Sequence, residues 1–178
     1  MVRNLRIAGA VILVMFMGGI SIYLYGITIV NWWIPVGIAL FLAIGFWLLF
    51  YPVWQRLAPE IPAAARCILH LITATIVLSA FILGLNRYGA PSDASHEVKA
   101  TVSKKYQEKR NRSRRVGRGR YVKGEEYYVY CIVYTLPDGR DKTMEVSVDR
   151  YLRIPLNSTV PLHLSPGLFG WPVIDTTK

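Results

Sequence analysis

The sequence predicts a membrane α + β protein: a three-helix transmembrane bundle followed by a small antiparallel β-barrel-like or curled-sheet domain. Three observations carry this. Residues 7–54 contain no Asp, Glu, Lys or Arg. Three apolar runs are each long enough to cross about 30 Å of hydrocarbon as a helix. Beyond Leu85 the chain turns polar, with short alternating segments separated by turn residues.

The spans are expected at about 7–25, 34–54 and 67–85, within a membrane part covering 1–88. A helix is required because lipid offers no partner to unpaired backbone groups. Gly26, Asn31 and Pro35 punctuate the first connection, and Pro52, Pro59 and Pro62 the second. Tyr23, Tyr25, Trp32 and Trp33 fall at one expected interface, Tyr51 and Trp54 at the other, and Tyr88 closes the third span, the depth that amphipathic rings prefer. Arg3 and Arg6 precede the first run, whose apolar core is longer than that of a signal peptide, so it reads as an uncleaved anchor. Arg56 and Arg66 lie in the second loop and no basic residue lies in the first. The positive-inside rule then puts the N-terminus in the cytoplasm and the C-terminal domain outside it.

Within the spans, Ala39 and Ala43 form a small-xxx-small pair suited to close helix packing, inside the bundle or in a homo- or hetero-oligomer. Cys67 and His70 share a helix face, but two ligands are too few for a zinc site, so no metal and no cofactor is expected. His70, one turn from Arg66, is read as an interfacial histidine reached by water. Cys67 and Cys131 are read as two separate buried thiols.

Residues 89–95 read as a linker, and 96–178 as a basic β-rich domain. The protein carries 21 Lys and Arg against 11 Asp and Glu, and 17 of the basic residues lie at or beyond Arg87. Strands are expected at 96–106, 127–136, 142–148, 160–164 and 171–174, with Pro137-Asp138-Gly139 as a hairpin turn. In order along the chain come Ala100-Thr101-Val102, a basic insertion, Tyr134 to Arg140 (YTLPDGR), Ile154 to Val160 (IPLNSTV) and Gly167 to Pro172 (GLFGWP). Over residues 96–175 this order resembles the bacterial membrane proteins grouped as domain of unknown function 3592. The resemblance implies a bacterial inner-membrane protein with a small β domain, and it brings no catalytic residues.

The insertion, 109–124, reads KRNRSRRVGRGRYVKG: eight of sixteen residues are basic and none is acidic. Buried, such charge would be too costly, so a long surface loop is expected. Its arginines, Arg110, Arg112, Arg114, Arg115, Arg118 and Arg120, are the candidate binding residues, acting by electrostatic capture of an anionic lipid or an acidic protein. Tyr121 could stack on a base, but the expected topology disfavours nucleic acid.

Catalytic signatures are sparse. The chain has three histidines and no HExxH, CxxC, GxSxG or P-loop pattern. Glu125 and Glu126 are adjacent, so on a strand they point to opposite faces. His163 could serve as a base only if a carboxylate from elsewhere reached it. The sequence therefore points to a non-enzymatic envelope protein that binds a lipid bilayer and a partner. That partner is anionic lipid or a protein, including a toxin that the chain neutralises as an immunity protein. The alternatives are an accessory subunit of a larger membrane complex and a membrane-bound enzyme using His163.

Overall fold

The computed structural model describes residues 2–90 and 95–175, except the side chains of 2–6 and 115. Most of the expected linker, 89–95, lies outside the described residues. Three long apolar helices, α1 (Val2–Ile27), α2 (Trp33–Leu57) and α3 (Ala63–Tyr88), are followed by a five-stranded antiparallel open sheet. The strands are β1 (His96–Arg115), β2 (Tyr121–Thr135), β3 (Asp141–Val146), β4 (Thr159–Ser165) and β5 (Val173–Ile174), in the order β3-β2-β1-β4-β5. The chain divides into two compact units, residues 1–95 with 164–178, and residues 96–163.

In the first unit α3 is central: it packs along both α1 and α2, while those two scarcely meet. Ala39 and Ala43 of α2 are fully buried, as small residues must be where helix axes approach closely. All three helices are long and apolar enough to cross a membrane, and most of their outward side chains are large and hydrophobic, among them Phe16, Phe41, Leu48 and Phe81. The apolar surface that a soluble bundle would hide is here the exterior.

From Leu164 onward the described tail of the chain groups with this helical unit. Leu164 and Ser165 of β4 pair with Ile174 and Val173 of β5. Val173 forms an antiparallel bridge to Thr28, and the Ile29 N–H donates to the Pro172 carbonyl at 2.8 Å. Leu24, Ile27, Leu83 and Val173 form a buried cluster, with Trp171 packed against it. Apolar residues at the ends of α1 and α3 thus find cover in a segment far along the chain.

The second unit is built on the β1–β2 hairpin. Its core comprises Ala100, Val102, Cys131, Ile132, Tyr134, Leu136 and Leu162. Residues 127–135 lie in β2, between β1 and β3, and β1 is the middle strand of the five. At the expected hairpin turn Gly139 takes φ +80°, and its N–H donates to the Leu136 carbonyl at 2.9 Å. Asp138 accepts from the Arg140 side chain, which holds its carboxyl below the usual carboxylate range. The third expected strand stops short: β3 ends at Val146, and Ser147 caps a short helix, α4 (Val148–Arg153). Ser147 accepts from the Arg150 N–H, Asp149 sits in the first turn, and Arg150 and Arg153 sit in the last, each favourable to a helix dipole. Lys105 reaches from β1 to the Tyr151 and Ile154 carbonyls at 2.5 and 2.6 Å, satisfying acceptors at the C-terminal end of α4.

Val102, Tyr134 and Lys142 occupy one buried row across β1, β2 and β3. Burial pushes the Lys142 ammonium down from near 10.5 to about 8. Below about pH 8 the folded domain carries the cost of a buried charge, whereas the unfolded chain holds its proton up to near pH 10.5. Stability should therefore rise as pH climbs from 8 to 10.5. In denaturant titrations, Lys142→Met should lose that rise; an unchanged pH profile in the variant would refute the assignment.

Candidate functional site

The basic segment 109–124 is not a loop. β1 runs on to Arg115 and β2 resumes at Tyr121, so the two strands form a ribbon closed by residues 116–120. This corrects the loop expectation, and the reason is physical. Charge forbids burial, but a two-stranded ribbon buries no side chain and still pairs its backbone groups. Arg110 pairs with Tyr127, Arg114 with Val122 and Arg115 with Tyr121. Arg110, Arg112 and Arg114 recur at every second residue, the period that puts side chains on one face of a strand. From Gln107 to Arg115 the ribbon extends about 30 Å at about 3.3 Å per residue.

A register shift lies between Asn111 and Ser113, opposite Gly124 and Glu125. Gly124 is required there, because a Cβ would overlap the Arg112 carbonyl oxygen. The bulge re-aims the outer part of the ribbon. At the tip Gly117 and Gly119 have φ of +84° and +81°, and the Val116 N–H donates to the Arg120 carbonyl at 2.8 Å.

The ribbon has two electrostatic zones. Near its base, charges neutralise one another. Arg110 bridges Glu108 at 3.0 Å and Glu145 of β3 at 2.7 Å, and both carboxylates hold its guanidinium more firmly protonated than usual. Glu126 pairs with Lys109 and, at 3.1 Å, with Lys123. These partners keep the Glu126 carboxyl below its ordinary value and, through Glu126, hold Lys109 above its own. Toward the tip, residues 111–123 carry six basic side chains and no acid. The Arg112 guanidinium lies 5.4 Å over the Tyr127 ring. Among the described residues Arg114, Arg118 and Arg120 meet no carboxylate, and all three are exposed. Of the six predicted arginines, the structure thus sets Arg110 aside in ion pairs and groups Arg112, Arg114, Arg118 and Arg120 on the outer ribbon. Arg115 shares that stretch of backbone, but its side chain lies outside the described residues.

Sequence reasoning missed Tyr127 and Glu145 as neighbours of this cluster. The every-second-residue spacing of Arg110, Arg112 and Arg114 was the signal that could have revealed a strand.

His70 also differs from expectation. It is buried between α2 and α3. Its Nδ1 accepts from the Trp54 indole N–H at 3.0 Å, so Nε2 bears the hydrogen and donates to the Ala43 carbonyl at 3.0 Å. Trp47, Phe50 and Trp54 surround the ring. Both nitrogens are occupied in joining the helices. His163 is half-buried on β4, and among the described residues no carboxylate bonds to it. Among the described residues no cluster of His, Cys, Asp or Glu has the makeup of a metal site, and both cysteines are free. An apolar groove of about 880 Å³ opens between α1 and α2 over α3, lined by residues such as Val11, Met15, Phe50, Leu57 and Val77.

Compared with known family models, curated proteins and solved structures, the chain finds no match.

Proposed function

We propose that this chain is a non-enzymatic bacterial envelope protein that is anchored in the cytoplasmic membrane and captures an anionic partner with its β arm. The partner is the acidic face of a protein, such as a toxin neutralised by binding, or anionic lipid. The observation that carries this reading is the outer ribbon: six basic residues, no acid, both faces open to solvent. A soluble, purely structural hairpin gains nothing from such charge, which repels itself. The bacterial assignment rests on the resemblance of residues 96–175. The orientation rests on Arg3, Arg6, Arg56 and Arg66, which by the positive-inside rule favour a cytoplasmic N-terminus and an extracytoplasmic β domain. Exposed Trp32, Trp33, Tyr88 and Phe169 suit the outer interface.

Replacing Arg110, Arg112, Arg114, Arg115, Arg118 and Arg120 with serine should weaken binding to polyglutamate or anionic vesicles by more than tenfold at low salt, since each cation near an anionic surface is worth about 1 kcal/mol. The salt dependence should flatten as well. Unchanged low-salt binding would remove the reading. A reporter fused after Lys178 tests the orientation, with an extracytoplasmic signal expected and a cytoplasmic one contradicting it.

The groove between α1 and α2 favours a second reading, an accessory subunit whose partner lays an apolar helix there. Native mass measurement in mild detergent separates the two. A stable hetero-complex that survives loss of the six arginines would favour the subunit.

A further inference from the structure

The outer ribbon is not only cationic. Val116, Tyr121 and Val122 are 52%, 68% and 47% exposed. The pairing register sets them among the charges: Val122 stands opposite Arg114 and Tyr121 opposite Arg115, while Val116 and Arg120 close the tip. Arg112, Arg114, Arg115 and Arg120 thus each have an apolar or aromatic neighbour across the ribbon or next to it, while Arg118 stands between Gly117 and Gly119 at the tip. An acidic protein surface or a nucleic-acid backbone would reward the charges and leave these apolar groups idle. A bilayer interface rewards both, because phosphates pair with guanidinium while aliphatic and aromatic groups enter the headgroup boundary.

Resting on the capture reading above, we propose that the tip of the arm docks on the anionic phospholipid headgroups of the bilayer that holds the helices. Arg112, Arg114, Arg118 and Arg120 take the phosphates, and Val116, Tyr121 and Val122 enter the interface. Guanidinium suits this role, since its planar fork meets two phosphate oxygens at once. Tethering favours the encounter. Only residues 89–95 separate α3 from β1, and seven residues span at most about 25 Å. The anchored chain therefore meets its own bilayer at high effective concentration. Anchoring by helices and docking by a basic, apolar tip are then two signals on one membrane.

The test uses the full chain reconstituted in lipid nanodiscs, either of phosphatidylcholine alone or with phosphatidylglycerol. The readout is the rate at which trypsin nicks the exposed arm at Arg112 to Arg120. Phosphatidylglycerol is expected to slow nicking about tenfold or more, and salt near half molar should restore it. The variant Val116→Thr/Tyr121→Thr/Val122→Thr keeps every cleavage site and every charge, and threonine keeps the β preference. It should be nicked at the wild-type rate in phosphatidylcholine, which shows an intact arm, and should lose most of the protection in phosphatidylglycerol. Equal protection of variant and wild type would overturn the proposal, because the tip would then not enter the interface. If phosphatidylglycerol gave no protection while soluble polyglutamate or a DNA duplex did, lipid docking would fall and anion capture would stand. If no anion protected the arm, both readings would fall together.

Discussion

Tyr134→Ala is expected to unfold the β domain while leaving the helical unit inserted. Tyr134 is fully buried near the C-terminal end of β2, flanked by Val102 on β1 and Lys142 on β3, and it is among the largest of the fully buried side chains. Truncating a buried aromatic removes its transfer free energy and leaves a cavity, at a cost of about 3–5 kcal/mol. A domain of this size holds about the low end of the 5–15 kcal/mol usual for folded proteins. Loss of most of that margin should appear as hydrogen exchange throughout β1, β2 and β3 in the detergent-solubilised chain, with the amides of α1 to α3 still protected. Tyr134→Phe is the control. Burial raises the hydroxyl above its ordinary pKa, and the nearby Arg150 offsets part of that rise without making a well-aligned hydrogen bond. Removing the hydroxyl should then cost under about 1 kcal/mol. If Tyr134→Ala left the strand amides protected, the core would lie elsewhere.

The parts of this molecule legible in the sequence are those whose cause is local. The charge-free run of 7–54 and the aromatic residues at its ends mark the helices, because lipid tolerates little else. Pro137-Asp138-Gly139 marks a turn, because Gly139 takes a positive φ that costs glycine nothing. The arm was misread because the argument from charge excludes burial and says nothing about pairing. Arg112 and Arg114 can be wholly exposed and still lie on a strand. The helix α4 was hidden because Val146 and Val148 continue an alternating pattern, yet Ser147 between them caps a helix. The destination of the tail was the least legible of all, since its partners lie more than eighty residues back along the chain.

Asn86→Leu is expected to release that tail. Asn86 lies near the end of α3 and is fully buried. Its side-chain amide donates to the Trp171 carbonyl at 2.9 Å, its side-chain oxygen accepts from the Phe169 N–H at 3.0 Å, and its own carbonyl accepts from the Leu168 N–H at 2.9 Å. One side chain thus satisfies two backbone groups of the 167–171 turn. Leucine is close in size and better suited to a membrane helix, so helix propensity and insertion should not suffer. What it cannot do is pair with the Phe169 N–H and the Trp171 carbonyl. Each buried group left without a partner costs about 1–3 kcal/mol, so docking of the tail should weaken by about 2–4 kcal/mol. The readout is faster hydrogen exchange at Phe169 and Ile29, the latter because its N–H is held by Pro172. Asn86→Asp should do less harm to the Phe169 contact and more to the Trp171 contact, since a carboxylate accepts but cannot donate. Gly167→Ala attacks the same joint from the other side, because a Cβ there would overlap the Trp171 carbonyl and the Asn86 amide. If neither Asn86→Leu nor Gly167→Ala changed exchange at Ile29, the tail would be held by the cluster of Leu24, Ile27, Leu83 and Val173 alone, and the polar clasp would be incidental.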